Sequence, residues 1–352
     1  MVPTKDRIEH SDTVCPPSHP ELTSKSPPER LDYTGASPIL ITGAHRSGST
    51  WVGQMVAACP RVGYIDEPFN LHHRPGVCAA RFEHWFTYVT DENAAGYEHA
   101  LARTLAFSYD ASAELEALRT PKDVARMARD WSRFAYHHLR GSRPLMKDPI
   151  AFFSAEWLAE RFGMDVVVLV RHPAAFVSSL SRVGWWHDFR HFLEQPLLMR
   201  DLLGPYEQEI RAHAGREQEN LIVHAALLWK IIYGTALRYR EQHPDWIFVR
   251  HEDLSRRPVA EFRTLYERLG LPFSQQSKAL IEAHSGTDNP AEAAGGRIHQ
   301  LRRDSRANIW NWTERLGAAD VQEVRRIVGG LADSFYGDED WQPPDDLSIG
   351  SL

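Results

Sequence analysis

Two rhythms of apolar residues alternate along this chain. Short runs are apolar at nearly every position: Ile39-Leu40-Ile41, Val166 to Val170, and Trp246-Ile247-Phe248-Val249, with weaker runs near 62–65 and 144–147. Runs of that length suit strands buried on both faces, as in a parallel sheet. Between them, apolar residues return every three or four positions. The spacing predicts a helix over about 49–58, with Trp51, Val52, Met55 and Val56 on one face. A second helix should start at Pro173, since proline is well placed in a first turn. A third should span 217–242 around Leu227, Leu228, Trp229, Ile231 and Ile232. Strands alternating with helices predict an α/β fold of three layers around a central parallel sheet.

The polar stretches set the boundaries. Residues 1–36 are rich in Pro, Ser, Thr and charge and lack apolar periodicity, so a flexible N-terminal arm is expected. One domain should occupy 37–337. Within it, residues 74–142 are aromatic-rich and helical in pattern, read as an insertion covering one side of the core. Residues 184–215 read as irregular to helical. An acidic tail, 338–352, is expected to be loose.

The chain has 352 residues, 43% hydrophobic and 25% charged, enough for a large core in a soluble globular protein. A net charge of −7 argues against bulk nucleic-acid binding. Cys15, Cys59 and Cys78 form no CxxC pair, which suits a reducing compartment. Lys5, Asp6, Arg7 and Glu9 leave no apolar run for a secretory signal, and no segment is expected to span a bilayer. A cytoplasmic protein is the expectation. Oligomeric state is not legible.

Chemistry concentrates at two strand-to-helix turns. After the first strand, Gly43 and Gly48 stand at the spacing of a Walker A loop, but Ser49 occupies the place of its lysine. Such a turn aims backbone N–H groups and a helix N-terminus at an anion. Without the lysine, the loop suits a phosphate-bearing nucleotide other than ATP or GTP. After the strand 165–171, Arg171 ends the run and Ser179 lies eight residues on, with Ser178 the alternative hydroxyl. An arginine there faces the crevice where open α/β sheets bind ligands, and its fork can hold a second phosphate.

These residues resemble the sulfotransferases that use 3′-phosphoadenosine 5′-phosphosulfate (PAPS). Arg46-Ser47-Gly48-Ser49-Thr50-Trp51 matches the family's phosphosulfate loop, and Arg171-His172-Pro173 with Ser179 matches its 3′-phosphate site. A late basic segment ending in Trp310 is a looser match and offers Arg303 first and Arg306 second as further phosphate ligands. The resemblance implies a P-loop-like fold and PAPS as co-substrate, with no metal required. Arg46 in place of lysine leans toward the carbohydrate-type members, and Glu67 in Asp66-Glu67-Pro68 resembles their catalytic glutamate. It implies Glu67 as the base that deprotonates an acceptor hydroxyl. Arg46 and Lys147 would stabilise the sulfuryl and leaving groups. His251 stands where the family often has an adenine-contacting tyrosine, and Trp51 would flank the adenine side. The acceptor would be a glycan, glycolipid or small molecule.

Two clusters stay open. Trp185-Trp186 is either core or an aromatic platform for a sugar or planar acceptor. His187 and His191 have the i, i+4 spacing of a metal pair on a helix, but no third ligand is suggested, and no metal is expected. The rival functions are a P-loop small-molecule kinase and a non-catalytic nucleotide-binding scaffold.

Overall fold

The strand Ile39–Gly43 (β1) lies at the centre of a five-stranded sheet. In this computed structural model, residues 36–216, 218–286, 289–290 and 304–343 are described. The remaining strands are Val62–Asp66 (β2), Arg143–Lys147 (β3), Asp165–Val170 (β4) and Ile247–Arg250 (β5). Their order is β2-β3-β1-β4-β5 and every pairing is parallel. The chain leaves β1 toward β2 on one side and later places β4 and β5 on the other. The sheet therefore switches direction at β1, and its ligand crevice opens at the carboxyl ends of β1 and its neighbours.

Strand alternation divides the core between the two faces. Leu40, Met146, Val166, Val168 and Val170 face one helical layer, and Ile39, Ile41, Leu145, Val167 and Leu169 face the other. Ser49–Val56 (α1) covers the second layer with Trp51, Val52, Met55 and Val56, the predicted stripe. Gly43 is required at the end of β1: its φ is +131°, and a Cβ there would come within 2.4 Å of the Leu169 carbonyl oxygen.

The insertion differs from its reading. Regular helices begin only at Glu98–Leu105 (α2) and continue through Ala111–Ala117 (α3) and Pro121–Leu139 (α4). Residues 74–93 are irregular yet well buried. Helical pattern gave way there because side chains satisfy the backbone. The Tyr88 amide donates to Gln195 at 2.8 Å and the Val89 amide to the Ser154 hydroxyl at 2.9 Å. Phe69, Phe82 and Tyr97 stack alongside.

After Ala155–Phe162 (α5) and β4, Pro173–Val183 (α6) starts at the predicted proline. The next long helix is Leu221–Gln242, capped by Asn220, which accepts from the Val223 amide. By length and composition alone it could cross a bilayer, contrary to expectation. It is instead lined with buried residues, including Trp229, Ile231, Ile232 and Tyr233, and packs on α6 and on the helix Ala318–Asp333.

The start of the acidic tail is not loose. Asp338–Trp341 forms a short turn with Asp340 and Trp341 buried. Asp340 accepts from Arg250 at 2.7 Å and from Arg256 at 2.8 Å. Trp341, Tyr336 and Trp312 box in the His172 ring, with centroids 4.4, 4.9 and 5.3 Å away. Charge complementarity and aromatic burial outweigh the solubility of the acidic residues.

Burial drives the His172 imidazole down to about 3; Asp340 opposes this, while Arg250, Arg171 and Arg256 add to it. His45, also buried, is held at about 4. Both rings fold neutral and protonate more readily once unfolded. Stability should hold above pH about 6.5 and fall as pH drops from there toward the folded values. Thermal melting across pH 7 to 4 should show this, with a shallower slope in His172→Phe. An unchanged slope would contradict it.

Candidate functional site

The carboxyl edge of the sheet gathers most of the candidate residues. Beyond β1, the chain turns through Arg46 at φ 66° and Gly48 at φ +93° before α1 begins. Gly48 cannot be replaced cheaply, because a Cβ would meet His251 Nδ1 at 2.5 Å. His251, at the end of β5, is thus packed against the loop, and its ring meets Trp51 edge-on at 5.7 Å. Both are buried, and Trp51 also packs on Phe262. In the loop, Ser47 is fully buried with no hydrogen-bond partner for its hydroxyl, and Ser49 is also buried. A buried, unpaired hydroxyl in a turn that opens a helix is chemistry suited to an anion.

The second turn meets the first directly. Arg46 Nε donates to the Ser179 hydroxyl at 3.2 Å, and the Arg171 guanidinium donates to the Arg46 carbonyl. The two proposed phosphate sites therefore form one continuous polar surface between the loops after β1 and β4. Ser179 accepts from Arg46 and keeps its own O–H to donate. Ser178, the alternative, is buried with no hydrogen-bond partner. Arg171 is itself anchored, its amide donating to Tyr233 and its carbonyl accepting from Trp229 Nε1 at 2.8 Å.

A second cluster forms at the ends of β2 and β3. Lys147 is buried, and its ammonium lies 2.6 Å from both Glu67 Oε1 and Asp66 Oδ1. Burial pulls this ammonium down, but the two carboxylates outweigh it and the net direction is up, so Lys147 stays charged. Glu67 also accepts from Asn70 Nδ2 at 2.8 Å and holds a strained φ of 43°. A non-glycine residue in that region needs surroundings that impose it. Its side chain remains about a quarter exposed, so it is reachable from solvent. Lys147 thus orients Glu67, and Arg46 lies with the other cluster.

Asp148 escaped the sequence reading. It is fully buried and accepts from the amides of Phe69 at 2.7 Å, Ile150 at 2.9 Å and Ala151 at 3.2 Å. It ties the segment carrying Glu67 to the segment following Lys147. Burial, then the Glu67 charge, push its carboxyl up to about 8, against the pull of the amides and Lys147. The only signal in the sequence was adjacency to Lys147.

The remaining candidates fare differently. Arg306 donates from Nε to the Arg256 carbonyl at 3.1 Å, on an exposed face. Arg303 lies outside the described residues. Trp185 and Trp186 are not core: they are 42% and 48% exposed. The Arg46 guanidinium sits over the Trp185 ring at 5.5 Å, which places Trp185 beside the loop. His187 precedes the short helix Arg190–Leu193 (α7), so it and His191 do not share a helix face as expected.

The family model described as "Sulfotransferase family" matches residues 38–275, which takes in both turns and both clusters. The chain belongs to the sulfotransferase family. It is accordingly a transferase enzyme. Carbohydrate sulfotransferase 5 of Homo sapiens is 24% identical over 338 residues, covering 83% of this chain and 75% of that protein. Carbohydrate sulfotransferase 1 of Rattus norvegicus is 23% identical over 329 residues, covering 84% and 78%. Among solved structures, a sulfotransferase domain from the curacin biosynthetic pathway aligns with a TM-score of 0.45 and 19% identity, over 88% of this chain and 99% of that one.

Replacing Asp148 by Ala strips three buried amides of their acceptor. The expected cost is about 3 kcal/mol of unfolding free energy, measured by chemical denaturation. Unchanged stability would contradict the clamp.

Proposed function

We propose that this sulfotransferase transfers the sulfuryl group of PAPS to a carbohydrate hydroxyl. The observation that carries the reading is the bridge from Arg46 to Ser179 and from Arg171 to the Arg46 carbonyl. A donor with two separate phosphates needs two anion sites held at fixed separation, and a link that fixes the two turns relative to one another supports that reading. The amides and hydroxyls of residues 47–50, with Arg46, would hold the phosphosulfate. Arg171 and Ser179 would hold the 3′-phosphate, and Trp51 and His251 would border the adenosine. The kinase alternative is not favoured: the loop has no Walker lysine, and the family is a sulfotransferase one.

In this reading the acceptor hydroxyl gives its proton to Glu67 and its oxygen attacks sulfur in line with the departing phosphate. Lys147 holds the Glu67 carboxylate in place through their ion pair. Arg46 meets the negative charge that grows on the bridging oxygen, and preorganised donors of this kind are usually the largest catalytic contribution. These residues supply base and cation without calling on a metal. A carbohydrate acceptor is supported by the names of the relatives and by the exposed tryptophans, whose faces suit the apolar side of a sugar ring. The insertion would wall the acceptor pocket: Phe86 comes within 5.8 Å of the His45 ring beside the loop.

Two substitutions separate binding from chemistry. Arg171→Ala should weaken adenosine 3′,5′-bisphosphate binding by about 1.5–3 kcal/mol, read by calorimetry. Glu67→Gln should leave that affinity alone and lower labelled-sulfuryl transfer by about 10²–10⁴-fold. Full transfer by Glu67→Gln would remove it from the mechanism. In the same assay Trp186→Ala should raise the KM for a saccharide acceptor and spare the KM for PAPS. An equal effect on both, or transfer only to non-carbohydrate acceptors, would overturn the acceptor assignment.

A further inference from the structure

The histidines on the acceptor side form a cluster that sulfuryl transfer does not use. A ring nitrogen of His84, a ring nitrogen of His191 and a carboxylate oxygen of Glu194 lie within 4.8 Å of one another. His84 comes from the irregular segment of the insertion, and His191 and Glu194 from α7 and the residue that ends it. Nδ1 of each ring is buried without a hydrogen-bond partner. Glu194 Oε2 stands 3.5 Å from His84 Nδ1, too far to satisfy it well. Two buried ring nitrogens without a hydrogen-bond partner are costly, since each lost partner costs about 1–3 kcal/mol.

We propose that His84, His191 and Glu194 bind a divalent zinc-like cation that staples the insertion to α7. Two imidazoles and one carboxylate are a donor set that zinc accepts, with a fourth position left for water. Tetrahedral ligand atoms lie roughly 3.4 Å apart at zinc bond lengths. The three groups therefore need to close by up to about 1.4 Å, and Glu194, with its side chain 58% exposed, has room to turn inward.

The staple has a structural consequence. It joins segments already linked by the Tyr88 amide and Gln195, and Phe86 in the first of them packs against His45 and His187. A bound ion would fix the wall of the acceptor pocket relative to the phosphosulfate loop, without entering the reaction. The spacing that drew attention in the sequence, His187 to His191, supplies only one of the ligands. The second comes from a residue more than a hundred positions earlier.

The test uses the untagged full chain and Zn²⁺ alone, followed by thermal melting and calorimetry. One equivalent should bind and raise the melting temperature, and the same concentration of Mg²⁺ should not. His84→Gln and His191→Gln should each weaken Zn²⁺ binding by at least about tenfold, with Glu194→Gln as a milder variant should a histidine variant not fold. No rise with Zn²⁺, an equal rise with Mg²⁺, or undiminished Zn²⁺ binding in the variants would overturn the site.

Discussion

The contact on which this site depends is the one between two turns that are far apart in sequence. Arg46 reaches Ser179, and Arg171 reaches back to the Arg46 carbonyl. Neither turn could hold this geometry alone. Arg46 has a backbone conformation that side chains seldom adopt, and it is kept there by a neighbour on the adjacent strand. β1 and β4 pair in register from Ile39–Asp165 to Gly43–Leu169, so their carboxyl ends arrive side by side. The sheet thereby converts a hydrophobic pairing into a fixed spacing between two groups of hydrogen-bond donors.

The same logic sets the second cluster. β2 and β3 pair so that Asp66 lies opposite Lys147, and this register puts Glu67 within reach of the ammonium. A buried lysine needs compensation, because an isolated charge in the interior is expensive. Two carboxylates supply it, and Asp148 pins the backbone that carries one of them. One of those carboxylates, Glu67, remains accessible, and its ion pair with the lysine keeps it oriented.

Much of this was readable beforehand because it was local. Strand runs such as Val166–Val170, the glycine turn and the proline that opens α6 carry their signals within a few residues. The family resemblance then linked the two turns. What was missed depended on partners distant in sequence. The segment 74–93 looked helical, but Gln195 and Ser154 offered its amides better acceptors in an irregular path. The tail looked soluble, but Asp340 found two arginines and Trp341 found the His172 ring. Trp185 and Trp186 could not be assigned to core or surface, because the glycine that ends α6 at Gly184 decides where they emerge. Asp148 had no signal beyond its neighbour, since its partners are backbone amides that any residue can offer.

The most direct test is a crystal structure of the protein with adenosine 3′,5′-bisphosphate. One phosphate is expected within hydrogen-bond reach of the amides of Ser47 to Thr50, and the other on the Arg171 guanidinium and the Ser179 hydroxyl. A nucleotide bound elsewhere, or one whose second phosphate leaves Arg171 and Ser179 untouched, would contradict the account.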